Sequence, residues 1–317
     1  MVVLRKLLTL VPTVLLVSFL TYLLVDLLPG DAATQLAGND PQEETIRAIR
    51  EDLGLDKPLL IRYVYWLGDV ATGDFGRSYR TNQPVLEAIG ERLPITLQLG
   101  LMAMLFALFL SIPLGVLSAF KANTPIDKTI TTVSFGLLAV PNFVMALLLL
   151  YVFAVELGWF PPVGWTRLTA DVGDNLRRSV LPALSLSIGQ LAVYTRLLRT
   201  DMIATLQEDF VAMAKAKGLP TWRILFTHAL RPSSFSLLTI IGLQVGGLIG
   251  GAVIVEQFFA LPGIGRLLLE SIQQRDLIIV QGVVLFIGLT TVLANFAVDL
   301  VYSVLDPRIR RGSTRTA

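Results

Sequence analysis

Residues 209–232 read DFVAMAKAKGLPTWRILFTHALRP, and their reading decides the rest of the chain. Phe210, Met213 and Ala214 share one face of a first helix, Gly218 suits a left-handed position just past its end, and Pro220 prevents continuation. Thr221 is placed to cap a second helix that carries Trp222, Leu225 and Phe226. In a soluble chain such a helix–turn–helix with basic residues would suggest DNA binding. Here the flanking segments on both sides are apolar and long enough to cross a bilayer. The polar piece therefore sits in water against one membrane face, where it reads as a docking surface for a protein and not for nucleic acid.

Working outward, the chain is that of a membrane protein. Of its 317 residues 54% are hydrophobic and 16% charged, and the mean hydropathy is +0.68. It has no cysteine and a single histidine, His228, which removes disulfides, thiolate nucleophiles and cysteine metal sites and leaves little for an imidazole-based centre. Six stretches approach the roughly 20 apolar residues that a helical span needs. They lie near 7–28, 97–120, 130–155, 180–198, 236–260 and 279–305, and predict an all-α membrane protein with six transmembrane helices. The first follows Arg5 and Lys6, is longer than a signal-peptide core and precedes no A-x-A site, so it reads as uncleaved.

Basic residues set the orientation. Arg5, Lys6, Lys121, Lys128, the cluster from Arg196 to Arg231, and Arg308, Arg310, Arg311 and Arg315 all fall on one side with few acids, whereas the opposite side carries more acids than bases. Both termini are expected in the cytoplasm. The resulting organisation is residues 1–29 as tail and first helix, 30–94 as a small, mostly helical extracytoplasmic loop domain, 95–305 as the core with a cytoplasmic segment at 201–232, and 306–317 as a cytoplasmic tail.

Within 30–94, Asp40 and Pro41 mark a helix start, Glu43 and Glu44 suit its first turn, and Ile46, Ile49 and Leu53 share a face before Gly54. Pro58 starts another helix whose buried face is Tyr63, Trp66 and Leu67. Two readings stand for this loop: a cap on the outer surface, or a landing site for an extracytoplasmic partner.

Inside the membrane, small residues recur every fourth position at Ala103, Ala107, Ser111, Gly115 and Ala119, and again at Gly242, Gly246 and Gly250 with Gly247 and Gly251 alongside. Such stripes let helix backbones approach closely, within the chain, against another subunit, or along a sliding path. Pro141 with Asn142 falls mid-span and predicts a kink. The carboxylates of Asp26, Glu256 and Asp299 lie toward span ends, where snorkelling or local pairing relieves burial. Only neutral groups such as Asn142, Gln190 and Gln244 occupy the centre, which disfavours a stand-alone ion-coupled carrier. The motifs G-x-x-x-x-G-K-[ST], H-E-x-x-H and G-x-S-x-G are missing, so any ATP that powers transport is bound by another chain.

DFVAMAKAKG followed by HALRP resembles the cytoplasmic coupling signature of bacterial ABC importer permeases, in the form used by the dipeptide, oligopeptide and nickel branch. LLPGDAA at 27–33, residues 53–99, VEQFFALPGIGRLLLESIQQRD at 255–276 and LVYSVLDPRIR at 300–310 resemble the same branch in the same order. The resemblance implies a type I importer (MetI-like) permease fold that imports short peptides, with nickel chelates, glutathione or another small solute as the alternative cargo. It implies a second, similar permease, two ABC ATPase subunits that hold the ATP and magnesium, and an external substrate-binding protein, all working in membrane lipid. This chain would carry no cofactor and no chemistry of its own. The ATPase-coupling residues would be Asp209, Phe210, Met213, Ala214, Lys215, Ala216, Lys217 and Gly218, with Phe210 and Met213 as anchors. Gly242, Gly246, Gly250, Pro141 and Asn142 would serve helix packing or the pathway. One departure stands out: the signature's glutamate, six residues before the glycine, is Ala212 here, with Glu208 and Asp209 the nearest acids.

Overall fold

The structure, a computed structural model, describes residues 2–26, 43–52, 56–78 and 80–305. In chain order the helices are α1 (Val2–Asp26), α2 (Glu43–Asp52), α3 (Leu59–Ala71), α4 (Val85–Phe120), α5 (Pro125–Ala139) and α6 (Asn142–Leu149). There follow α7 (Val172–Thr205), α8 (Asp209–Ala216), α9 (Thr221–Arg223), α10 (Leu230–Gly251), α11 (Val253–Phe258), α12 (Ile264–Gln273) and α13 (Leu277–Leu305). A π-helical stretch, Leu150–Glu156, extends α6, and another, Ile224–Ala229, joins α9 to α10. The chain divides into two compact units, Met1–Pro94 with Leu267–Ala317, and Ile95–Arg266.

By length and composition, four described helices can cross a membrane: Val85–Phe120, Val172–Thr205, Thr221–Gln244 and Leu277–Val298. A fifth span results if α5 and α6 with its π extension are taken together, and α1 offers a shorter apolar stretch, Leu10–Leu23. This is an all-α, multi-span membrane protein. The third apolar run is not the kinked helix expected from Pro141. Its two halves meet at 102°. The residue before a proline is forced out of the α region, and Val140 is extended (φ −86°, ψ 121°), as is Pro141 (φ −58°, ψ 141°), so the helix ends and restarts.

The fifth apolar run also differs from its expected bounds. The helix begins at Thr221, not near residue 236, passes through the π segment without a break, and ends at Gly251. The second helix of the 209–232 segment is therefore the start of a span. Pro220, not Thr221, is its N-cap, with no side-chain capping bond.

In the first unit, α1 packs along α13, closely enough that a Cβ on Gly288 would come within 2.7 Å of Val17. The half-buried face of α3 is Tyr63, Trp66 and Leu67, as its periodicity predicts. It faces α1: the Tyr63 hydroxyl lies 2.8 Å from Ser18 Oγ and donates to the Leu15 carbonyl at 3.2 Å, and Tyr63 packs edge-on against Phe19. Thus α3 packs beside the apolar stretch of α1. Leu60, Ile61, Val64 and Tyr65 form its exposed face. In α2, Glu43 and Glu44 occupy the first turn. Asp40, Pro41, Leu53, Gly54, the stretch 27–33 and the tail from 306 lie outside the described residues, as do the side chains of Asp26, Ile46, Ile49 and Asp299. A short turn bridged at Arg77 and Pro84 closes on the start of α13, where the buried carboxylate of Asp276 accepts from Ser78 Oγ.

In the second unit, the fourfold row of α4 is an internal seam. Ala103, Ala107, Ser111 and Ala119 are buried, and a Cβ on Gly115 would stand 3.1 Å from Leu198 of α7. Around this seam lie apolar clusters built on Leu99, Ala103, Leu181 and Val255, on Ala107, Tyr194 and Leu237, and on Val116, Leu198, Met202 and Leu225. Helix α7 outruns the expected stretch 180–198 because Asp171 caps it, its side chain accepting from the Asp174 amide at 3.0 Å.

Candidate functional site

The segment between α7 and α10 is held in shape by its backbone. Gly218 has φ +75°, the Gly218 amide donates to the Lys215 carbonyl at 2.9 Å and the Leu219 amide to that of Ala214 at 3.2 Å. This pair of bonds is a Schellman close, and it satisfies carbonyls that the helix end would otherwise leave bare. Pro220 then starts α9.

The two faces of α8 differ from the sequence expectation at one residue. Val211 and Ala214 are buried in a small cluster with Ile224, next to Leu206 and Leu219. Ala214 is thus a packing residue and does not share the face of Phe210 and Met213, which are 43% and 57% exposed. At about 100° per residue, position 214 falls between 210 and 211, so it stands at the edge of the exposed face, and its small side chain turns to the contact with Val211 and Ile224. Asp209, Lys215, Ala216 and Lys217 are exposed as well. On the return helix Leu225 is buried, whereas Trp222 (65%) and Phe226 (49%) are open. Four large apolar side chains, interleaved with Lys215, Lys217 and Arg223, therefore stand uncovered on one short segment.

Behind this segment lies an ion pair that the sequence did not announce. Asp127, in the first turn of α5, is buried and takes two bonds from Arg199 of α7, at 2.6 and 2.7 Å. Ser118 Oγ at 2.5 Å, the Asn123 amide at 2.8 Å and Thr131 Oγ1 at 3.4 Å also donate to it. A bidentate, fully hydrogen-bonded pair of this kind pins the ends of α4, α5 and α7 together. Its signal in the sequence was an acid and a base 72 positions apart, each of which reads singly as a membrane-edge charge.

The neutral polar groups expected at mid-span have different surroundings. Gln244 accepts from the Tyr194 hydroxyl at 2.7 Å. Asn142 is exposed beside the break, with its Oδ1 next to Gly189 of α7, and Gln190 keeps Oε1 buried without a partner among the described residues. Of the α10 glycines, Gly242 is half-buried, Gly250 is exposed, Gly247 faces open space, and Gly246 lies outside the described side chains. This stripe, unlike that of α4, is not used up by packing at its far end.

Glu256 is the other surprise. It sits in α11, beyond the turn at Ala252, fully buried, and accepts from Thr96 Oγ1 at 2.6 Å and from the Arg266 amide at 3.0 Å. Thr96 in turn accepts from the Ile264 amide at 2.9 Å. The carboxylate thereby caps the first turn of α12, whose free amides favour negative charge. Local pairing, one of the two expected remedies, is the one realised. Among the described residues no cluster of His, Asp or Glu is arranged to hold a metal ion.

With this arrangement in view, the relatives are informative. Residues 111–311 match the family described as the binding-protein-dependent transport system inner membrane component, and residues 1–100 match its N-terminal region. A putative peptide transport system permease protein of Brucella abortus (strain 2308) is 39% identical over 308 residues, 97% of this chain and 98% of the relative. A probable peptide ABC transporter permease protein of Sinorhizobium fredii is 37% identical over the same shares. A glutathione transport system permease protein of Escherichia coli (strain K12) is 35% identical, again over 97% and 98%. The chain belongs to the inner-membrane components of binding-protein-dependent transport systems, as a non-catalytic ABC importer permease of the peptide, oligopeptide and nickel branch.

Proposed function

We propose that this permease forms half of a translocation path for short peptides and opens it alternately to the two sides as separate ATPases close and release. The observation that carries the reading is the coupling segment: an eight-residue helix, α8, closed by Gly218, packed inward on Val211 and Ala214, with Phe210, Met213, Trp222 and Phe226 uncovered. Exposed aromatic anchors ringed by basic residues are what a groove on a soluble partner would bury. Asp209 and Lys215 to Lys217 are the rim of that contact. Because Ala214 is packed against the return helix, a push on α8 moves the start of α10 with it.

The same reading has six spans in a type I, MetI-like arrangement, with α1 and the broken α5–α6 run each counted as one. Both termini lie in the cytoplasm of a bacterium, and the protein sits in its cytoplasmic membrane. A second permease, two ATPases and a binding protein on the outer side complete the machine. Pro141 and Asn142 at the break and the Gly242, Gly246 and Gly250 stripe serve helix packing or the pathway. Peptide cargo is supported by the names of the Brucella and Sinorhizobium relatives; the Escherichia coli relative favours glutathione, itself a small peptide, as the second reading.

The test is reconstitution in liposomes. With its partners and ATP the protein imports a labelled dipeptide, and alone it moves nothing. Uptake by the isolated chain under an ion gradient would overturn the reading. Calorimetry of the external binding protein with peptides, glutathione and nickel chelates then separates the cargoes.

A further inference from the structure

A cavity of about 240 Å³ opens between α5 and α7, at the level of Asp127 and Arg199. Its wall is divided. Phe135 (52% exposed) and Leu138 (39%) give it an apolar side one helical turn apart, on a segment that reads as half a membrane span. The opposite side carries Thr195, Arg196 and Arg199.

The charges there are not equivalent. Arg199 is neutralised by Asp127, as described above. Arg196 is exposed, joins no ion pair among the described residues, and rests with its guanidinium 5.8 Å from the centre of the Phe135 ring. Thr195 is 2% exposed, and its hydroxyl oxygen has no hydrogen-bond partner among the described residues. The other hydroxyls are already spent: Ser118 and Thr131 donate to Asp127, Ser134 to the Ile130 carbonyl and Thr200 to the Arg196 carbonyl. One unpaired cation and one unspent donor thus stand over an apolar ramp.

We infer that this cavity holds the headgroup phosphate of an anionic phospholipid, from the leaflet on the side of the coupling segment. Arg196 and Thr195 face the phosphate, and an acyl chain lies along Phe135 and Leu138. The volume is below the roughly 300 Å³ of drug-sized sites and suits a phosphate with its glycerol, not a whole lipid. Charge complementarity selects an anionic headgroup over a zwitterionic one, and the apolar ramp selects a lipid over a soluble phosphate.

The test is native mass spectrometry of the full-length protein titrated with phosphatidylglycerol and with phosphatidylcholine of matched chains. Phosphatidylglycerol should bind more tightly, and Arg196→Gln should weaken it about fivefold, the effect of one headgroup cation, with phosphatidylcholine unchanged. Arg196→Lys should retain most of the preference, and Thr195→Val should weaken it without lowering the melting temperature. Equal binding of the two lipids, or an Arg196→Gln variant that binds like the wild type, would overturn the assignment. So would complete competition by soluble glycerol phosphate, which would make this an anion site. A Phe135→Cys probe in the otherwise cysteine-free chain distinguishes the remaining occupant: cross-linking to a second permease in the assembled transporter would make the cavity a subunit contact and reject the lipid.

Discussion

Gly218 and Gly263 both follow the end of a short helix in the same unit, and they are glycines for opposite reasons. At Gly218 a Cβ would meet nothing within 4 Å, but φ is +75°, so the constraint is conformational. At Gly263 φ is not in the left-handed region, but a Cβ would stand 2.2 Å from the carboxylate of Glu256, so the constraint is space. The first glycine shapes a segment whose large apolar side chains Phe210, Met213, Trp222 and Phe226 are exposed. The second leaves room for a buried charge that is satisfied within the chain. One glycine shapes an exposed surface, and the other a buried one.

The sharpest way to break this contrast is at the buried end. Gly265→Ala should be the most damaging single change, because its Cβ would fall 2.4 Å from Val253 Cα, a backbone atom with no rotamer to escape by. Gly263→Ala should follow, since Glu256 must leave the Thr96 hydroxyl and the α12 amides, at a cost of about 1–3 kcal/mol for each buried group left unsatisfied. The check is a double-mutant cycle in the purified protein: the cost of Gly263→Ala should shrink in a Glu256→Ala background, where the obstacle is gone. Additive losses in melting temperature would mean that Gly263 is not reserving space for the carboxylate.

Next in size is the Asp127–Arg199 ion pair. Arg199→Ala leaves Asp127 buried at 3% side-chain exposure with its two strongest bonds gone, for a loss of about 3 kcal/mol. Arg199→Lys cannot reproduce the bidentate geometry and should recover only part of it. Asp127→Asn combined with Arg199→Ala should be milder than Arg199→Ala alone, as read by thermal unfolding. If the single variant were as stable as the wild type, Asp127 would not depend on Arg199.

These two regions were unequally legible beforehand. Gly218 could be read because a C′ glycine followed by proline is a local signature, complete within a few residues. Gly263, Glu256 and Thr96 form one site from positions 160 apart in sequence, and nothing local marks the carboxylate as a cap for a helix that starts after it. The Asp127–Arg199 pair was hidden in the same way. Helix phase could not have settled Ala214, which lies between Phe210 and Val211 on the wheel; the contact with Ile224, invisible in the local sequence, is what buries it. That several helices are long and apolar enough to cross a membrane was readable from hydropathy, and the 102° break was not, because a mid-span proline signals a disturbance without giving its size. The two small-residue stripes looked alike in sequence, where packing within the chain, subunit contact and a sliding path all stood open; the α4 row is packed within the chain, and the described part of the α10 row is left partly open.

At the outward-facing end the effects on stability become small while those on transport grow. Gly218→Ala should cost about 1 kcal/mol and Gly218→Val more, because a β-branched residue is strained at positive φ. Gly218→Asn should be tolerated best, since asparagine enters this region most readily. Uptake in the reconstituted transporter should fall in the order Asn, Ala, Val while the ATPase rate falls less. Equal uptake by all three would separate this glycine from coupling.

The smallest change in stability is expected at the exposed anchors. Phe210→Ala and Trp222→Ala remove side chains that are 43% and 65% exposed, so each should shift unfolding by no more than about 0.5 kcal/mol. Val211→Ala, one residue away but fully buried, should cost more, because it opens the α8 cluster. Pull-down with the partner ATPase reverses the ranking: Val211→Ala retains binding so long as α8 folds, whereas loss of Phe210 or Trp222 weakens it. If the exposed pair proved as silent in binding and uptake as in stability, the coupling contact would have to lie elsewhere on the segment, on the basic rim of Lys215, Lys217 and Arg223.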